Sequence, residues 1–127
     1  MTEPAWLDLR DALAIRDRIL ALHGGAEGIR DQGLLESALA RPRQMYAYAD
    51  DPDLADLSAA LTVAVVRNHP FVDGNKRTGF LLGVLFPELN GLEFAAKEED
   101  AAQAVLSLAA GSLTEGQFRN WLRDNIV

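Results

Sequence analysis

The stretch Arg67-Asn68-His69-Pro70-Phe71-Val72-Asp73-Gly74-Asn75-Lys76-Arg77-Thr78-Gly79 gathers side chains that could do chemistry together. Histidine titrates near neutrality, so His69 is suited to take a proton from a hydroxyl. Asp73 offers a hard oxygen ligand of the kind that Mg²⁺ on nucleotide phosphates accepts. Lys76 and Arg77 bring two cations to the point where a helix should begin, and Arg67 brings a third from the helix before it. A helix N-terminus has unpaired N–H groups and a positive dipole end, so Gly74 to Arg77 form a natural phosphate seat. The chain has only two lysines, Lys76 and Lys97, so a cationic knot here is a local feature. Base, metal carboxylate and phosphate seat together fit phosphoryl or nucleotidyl transfer to a hydroxyl.

Each residue alone also has a plainer reading. A cation is favoured at a helix C-terminus, which would account for His69. Asp73 could cap the next helix, and Gly74 could serve only the turn. Asn75, Lys76 and Arg77 could be first-turn residues, although two cations there oppose the dipole. The spacing of the set favours the chemical reading.

Helices must position these groups. Leu9, Leu13, Ile19 and Leu20 mark one side of a first helix, about 8–22, with Asp8 as N-cap and Gly24-Gly25 as the stop. A short second helix is expected at 33–40, capped by Asp31 and ended before Pro42. Residues 43–52 lack a helical stripe, and Tyr46 and Tyr48 alternate, so an extended flap is predicted. A third helix starts at the cap Asp53, carries Leu54, Leu57, Leu61 and Val65 inward, and ends near His69 because Pro70 follows. The fourth, about 75–86, is apolar almost all round and is expected to be the buried central helix. Gly79 and Gly83, one turn apart, should let a neighbour approach closely, and Pro87 and Gly91 punctuate the end. Further helices are expected at 98–109 and 115–125, the last with Phe118, Trp121 and Leu122 on one face. The fold class is all-α, a compact bundle of about six helices in one domain over 1–127.

Composition narrows the classes of function. Apolar residues make up 49% and charged residues 24% of the 127, as in ordinary globular proteins. Cysteine is absent, which removes disulfides, thiolate nucleophiles and cysteine zinc sites together. Twelve basic against nineteen acidic residues leave a net charge of −7, which argues against direct nucleic-acid binding and against anionic membranes. No signal peptide or membrane span is legible, so a cytoplasmic location is expected.

The loop 69–77, His-x-Phe-x-Asp-Gly-Asn-Lys-Arg, resembles the signature of the Fic/Doc superfamily, and more narrowly its Doc, or death-on-curing, toxin branch. Gly24-Gly25, the run Gly28-Ile29-Arg30-Asp31-x-Gly33-Leu34-Leu35-Glu36-Ser37-Ala38-Leu39, and Leu113-Thr114-Glu115 before Trp121-Leu122 extend the likeness over almost the whole chain. The resemblance implies a toxin of a toxin–antitoxin module with His69 as catalytic base and Asp73 as the Mg²⁺ ligand. Gly74, Asn75, Lys76 and Arg77, with Arg67, would hold the phosphates of ATP. Phe71 would point into the core and lock the loop. Fic adenylyltransferases carry a small Gly where Lys76 stands and a second Arg where Phe80 stands. Doc relatives share both departures and pass on the γ-phosphate, their recognised target being a threonine of elongation factor Tu. The implied partner is a Phd-like antitoxin whose disordered tail folds on binding. The alternatives are a Fic-type adenylyltransferase and a non-catalytic co-repressor that only binds its antitoxin. Glu115-Gly116 invites a self-inhibitory reading, but Ser112-x-x-Glu115 or Thr114-x-x-Gln117 reads better as a capping box.

Overall fold

A computed structural model describes residues 3–127. Six helices follow one another: α1 Leu9–His23, α2 Gln32–Tyr48, α3 Leu54–Asn68, α4 Asn75–Leu89, α5 Glu98–Ala110 and α6 Glu115–Asn125. The all-α bundle expected from the periodicity is what forms. Local signals start most of these helices. Asp8, Asp53 and Thr114 each make a reciprocal capping box, with Asp11, Asp56 and Gln117 respectively, and Asp31 caps α2 through Leu34 N–H.

Two expectations are corrected. There is no extended flap at 43–52, because α2 runs straight through Pro42 to Tyr48. Proline inside a helix removes one hydrogen bond and costs about 3 kcal/mol. Burial offsets that cost here. Pro42 is buried, Met45 and Tyr46 pack on the core, and Trp6 sets its ring edge-on to Tyr46 with centroids 5.7 Å apart. Fully burying one such side chain contributes about 1.5–3 kcal/mol. The central helix is α3, not α4. It packs against α2, α4, α5 and α6, and ten of its fifteen residues are buried. Its small residues Ala55, Ser58, Ala59 and Ala60 allow neighbours on every side, whereas α4 leaves Leu81 and Leu89 exposed.

The close approach expected at Gly79 and Gly83 is present, and α3 is the neighbour. Thr62 Oγ1 donates to Gly79 O at 2.8 Å. A Cβ on Gly79 would meet Val65 and Val66 side-chain carbons at 3.2 Å, and one on Gly83 would collide with Thr62 Oγ1. One apolar cluster joins Leu35, Leu57, Leu61, Val65, Phe71, Leu82 and Phe86. A second lies around Val63, Val66, Leu108, Phe118 and Leu122. Arg123 ties α6 to the start of α3, reaching Asp53 Oδ2 and Asp56 Oδ1 at 2.8 Å each. Burial works to raise the Asp53 carboxyl, but the Arg123 guanidinium and the Asp56 N–H outweigh it and hold the group below its ordinary value. Among the described residues no helix is long and apolar enough to cross a membrane.

Candidate active site

The loop between α3 and α4 turns back sharply, and the backbone shows how. His69 closes α3 in the left-handed region, φ 50°, with its N–H on Val65 O. Left-handed backbone is uncommon for a residue with a side chain, so something must hold it. Arg30 does. Its Nε donates to His69 O and its Nη2 to Asn68 O, both at 2.6 Å. The same segment clasps the loop by its main chain. Arg30 and Asp31 N–H groups donate to Pro70 O at 2.7 and 3.0 Å, and Val72 N–H donates to Gly28 O at 3.1 Å. Residues 28–31 therefore brace the loop from outside.

Phe71 anchors it from inside. Its side chain is 1% exposed in the first apolar cluster, as the resemblance implied. Asn75 then staples the turn. Its Oδ1 accepts from Phe71 N–H at 2.9 Å, and its Nδ2 donates to Phe71 O at 3.0 Å. The same Nδ2 lies 3.4 Å from His69 Nδ1. Asn75 is buried, so its amide serves the loop and the orientation of the imidazole, while its main-chain N–H opens the next helix. The sequence could not show this, because the amide's partners belong to a turn that exists only when folded.

Asp73 is exposed at the loop tip. Its Oδ1 accepts from Gly74 N–H at 2.8 Å, and its Oδ2 from Ala26 N–H at 3.4 Å. Gly25 lies close enough that a Cβ there would meet Asp73 Oδ2 at 3.0 Å. Gly74, at φ 74°, is the N-cap of α4 and offers no side chain to cap it. The first intrahelical bond is Thr78 N–H to Gly74 O at 2.9 Å. The N–H groups of Asn75, Lys76 and Arg77 therefore precede the helical ladder, and the turn contains no acidic residue. Lys76 and Arg77 are exposed and form no ion pair among the described residues.

The site residues do not all converge. His69, Asp73, Gly74 and Asn75 share one braced loop, and Lys76 and Arg77 flank its helical end. Arg67, on the last turn of α3, lines a neighbouring cavity of about 220 Å³ with Ser37, Arg41 and Glu115. Phe80 is half-buried and packs against the second apolar cluster, its ring edge-on to Phe94 at 5.5 Å. Arg30 and Asn75 had no positioning role in the sequence reading, although Arg30 stood within the run quoted for the resemblance.

The donor set fits magnesium-bound phosphates better than a resident metal. No group of three or more metal-binding side chains occurs among the described residues, and Asp73 stands alone. Mg²⁺ held by one carboxylate draws its other ligands from phosphates and water. An uncapped, cationic helix start beside that carboxylate gives such phosphates a seat.

Comparison with known proteins shows which family the loop belongs to. The sequence model of the Fic/DOC family matches residues 6–87, which include the whole loop. A protein named Toxin Doc from Mycolicibacterium smegmatis is 38% identical over 112 residues, covering 87% of this chain and 82% of its own. A protein named Protein kinase doc from Escherichia phage P1 is 31% identical over 113 residues, covering 89% of each. With the braced loop His69 to Arg77 inside the matched span and relatives aligned over most of both chains, this protein belongs to the Fic/DOC family.

Proposed function

We propose that the chain is a Doc-type toxin that transfers the γ-phosphate of ATP to a protein hydroxyl, a threonine of elongation factor Tu, and so arrests translation. One observation carries the reading. A single loop, stapled by Asn75 and braced by Arg30, holds an imidazole at one end and a carboxylate beside an uncapped cationic helix start at the other. The target oxygen attacks the γ-phosphorus as the bond to the bridging β–γ oxygen breaks. ADP leaves, and His69 takes the hydroxyl proton. Asn75 keeps the ring presented. The first-turn N–H groups, Lys76 and Arg77 hold the phosphates and offset the charge that gathers on the leaving oxygen. Arg67 extends the positive surface along the adjoining groove. Asp73 would hold Mg²⁺, which would offset the negative charge of the phosphates.

Phe80 supports phosphoryl over adenylyl transfer. That position carries an arginine in the adenylyltransferase pattern and is packed into an aromatic cluster here. The name of the phage P1 relative, a protein kinase, points the same way. Control would come from an antitoxin, as toxin naming implies, and the Thr114–Gln117 capping box accounts for the start of α6 without a self-inhibitory role.

The test uses purified protein, elongation factor Tu, Mg²⁺ and ATP labelled separately at the α- and γ-phosphates. Label from the γ position on the target is the expected result, with none from the His69→Ala variant. Label from the α position alone would favour adenylyl transfer. No transfer and no harm to cells without antitoxin would favour the binding module.

A further inference from the structure

Arg16 has no part in the chemistry proposed above. It sits on the inner face of α1, between Ala12 and Ile19, and is 4% exposed. No carboxylate lies within ion-pair distance of it among the described residues. Its Nε has no hydrogen-bond partner. Burying a charge without a counter-ion is expensive, and such groups are normally paired or replaced. The contacts it does make all lead to the loop. The guanidinium carbon lies 5.4 Å from the centroid of the Phe71 ring. Nη2 donates to Ala26 O at 2.8 Å, and the N–H of that same residue faces Asp73 Oδ2. Nη1 lies directly beneath Gly74, where a Cβ would come within 2.9 Å of it.

We infer that Arg16 is a positioning residue built into the floor of the phosphate loop, its uncompensated charge completed by the ligand's phosphates across Gly74. This rests on the reading of residues 73–77 as a phosphate seat. Two independent features meet there: an uncapped helix start, and a buried cation aimed at it from below. The guanidinium does not need to touch the ligand. A positive charge in a buried, weakly screened position acts through the single layer of backbone above it. Its grip on Ala26 also fixes the segment that meets Asp73, so the floor serves both ends of the seat. Glycine at position 74 is explained twice over, by its left-handed backbone and by the guanidinium below.

The probe is inorganic tripolyphosphate, titrated into the full chain by calorimetry without metal, beside ATP. Arg16→Met removes the charge and keeps apolar volume, and it should weaken tripolyphosphate binding about tenfold. Arg16→Lys keeps the charge and should recover affinity to within about threefold of wild type, a rescue that mere packing would not produce. The gap between wild type and Arg16→Met should persist at raised salt, because a buried charge is poorly screened. Should Arg16→Met fail to fold by circular dichroism, Arg16→Gln, which can still donate to Ala26 O, carries the same expectation. Wild-type affinity in the folded neutral variant, or equal losses in the Lys and neutral variants, would overturn the inference alone. A wild-type chain that binds neither tripolyphosphate nor ATP would overturn the phosphate-seat reading itself.

Discussion

Gly83→Ala tests how tightly the two helices flanking the loop are fixed. On helix propensity alone the change should stabilise by about 1 kcal/mol. The structure argues the opposite sign. A Cβ on Gly83 collides with Thr62 Oγ1, which is buried and donates to Gly79 O at 2.8 Å. Either the hydroxyl swings away and loses its bond, about 1 kcal/mol, or α4 retreats, with overpacking costs of about 1–3 kcal/mol. Set against the propensity gain, the net is a loss of up to about 2 kcal/mol. Thr62→Ala alone should cost about 1 kcal/mol, for the bond and the small void. In the double variant the obstructing oxygen is gone, and the added methyl would fill space beside Ser58 O, 3.4 Å away. Its cost should not exceed that of Thr62→Ala, giving a coupling energy of up to about 2 kcal/mol. Urea unfolding followed by circular dichroism measures all three. Gly116→Ala is the control, since a Cβ there meets nothing nearer than Arg119 at 3.6 Å. Additive losses, or a Gly83→Ala variant stabilised like the control, would refute the packing argument.

Three other expectations follow from the same geometry. Lys76→Met and Lys76→Gly should each lose at least about tenfold in γ-phosphate transfer, or ~1.4 kcal/mol of transition-state stabilisation, with neither gaining efficient AMP transfer. Their thermal midpoints should barely move, since a cation leaves the positive end of a helix; full kinase activity in either would make Lys76 a bystander. Arg30→Gln removes the donor pair on Asn68 O and His69 O, so transfer should fall by about tenfold or more while stability falls by only about 1 kcal/mol. Rate and thermal midpoint on one preparation would tell, and an unchanged rate would detach Arg30 from His69. Asp53→Asn keeps a capping side chain but breaks the ion pair with Arg123, which is half exposed, so at pH 7 it should cost at most about 1 kcal/mol and less in high salt. The Asp53 carboxyl is held below its ordinary value of 3.8, so its contribution is present above that pH and fades as the pH falls through the lower folded value. The gap in urea midpoints between the two proteins should narrow from neutral pH toward pH 2; a gap that does not narrow would refute the linkage.

Helix starts were legible because they are local. An Asp or Thr and its partner three residues on lie within one turn, and Asp8, Asp31, Asp53 and Thr114 cap as read. The end of α3 at His69 and the start of α4 at Asn75 follow from Pro70 and Gly74 in the same way. Pro42 misled because its local penalty is overruled by distant partners, chiefly Trp6 and the first apolar cluster. The centre of the bundle was misplaced because bulk was weighed above smallness. A helix surrounded on all sides needs alanines and serines where others approach, and α3 has them. At the site, residue types and spacing pointed to His69, Asp73 and the start of α4. The braces were hidden, since Asn75 acts on a turn and Arg30 reaches across thirty-nine residues of chain to His69. Arg16 left one trace, a charge in register between two apolar positions of α1, which a helical wheel exposes.

The clasp by residues 28–31 also bears on where the molecule opens first. Every residue from 21 to 31 is exposed, and this edge is held to the loop by a handful of main-chain and side-chain hydrogen bonds rather than by buried apolar area. Segments of that kind exchange their amide hydrogens through local openings well below the free energy of global unfolding. Detachment here would release Arg30 from His69 and Ala26 from Asp73 in one event, while α3 and α4 stayed packed. Heat inactivation should therefore run ahead of loss of helix, with Phe71 still buried in a chain whose His69 and Asp73 have already lost their braces.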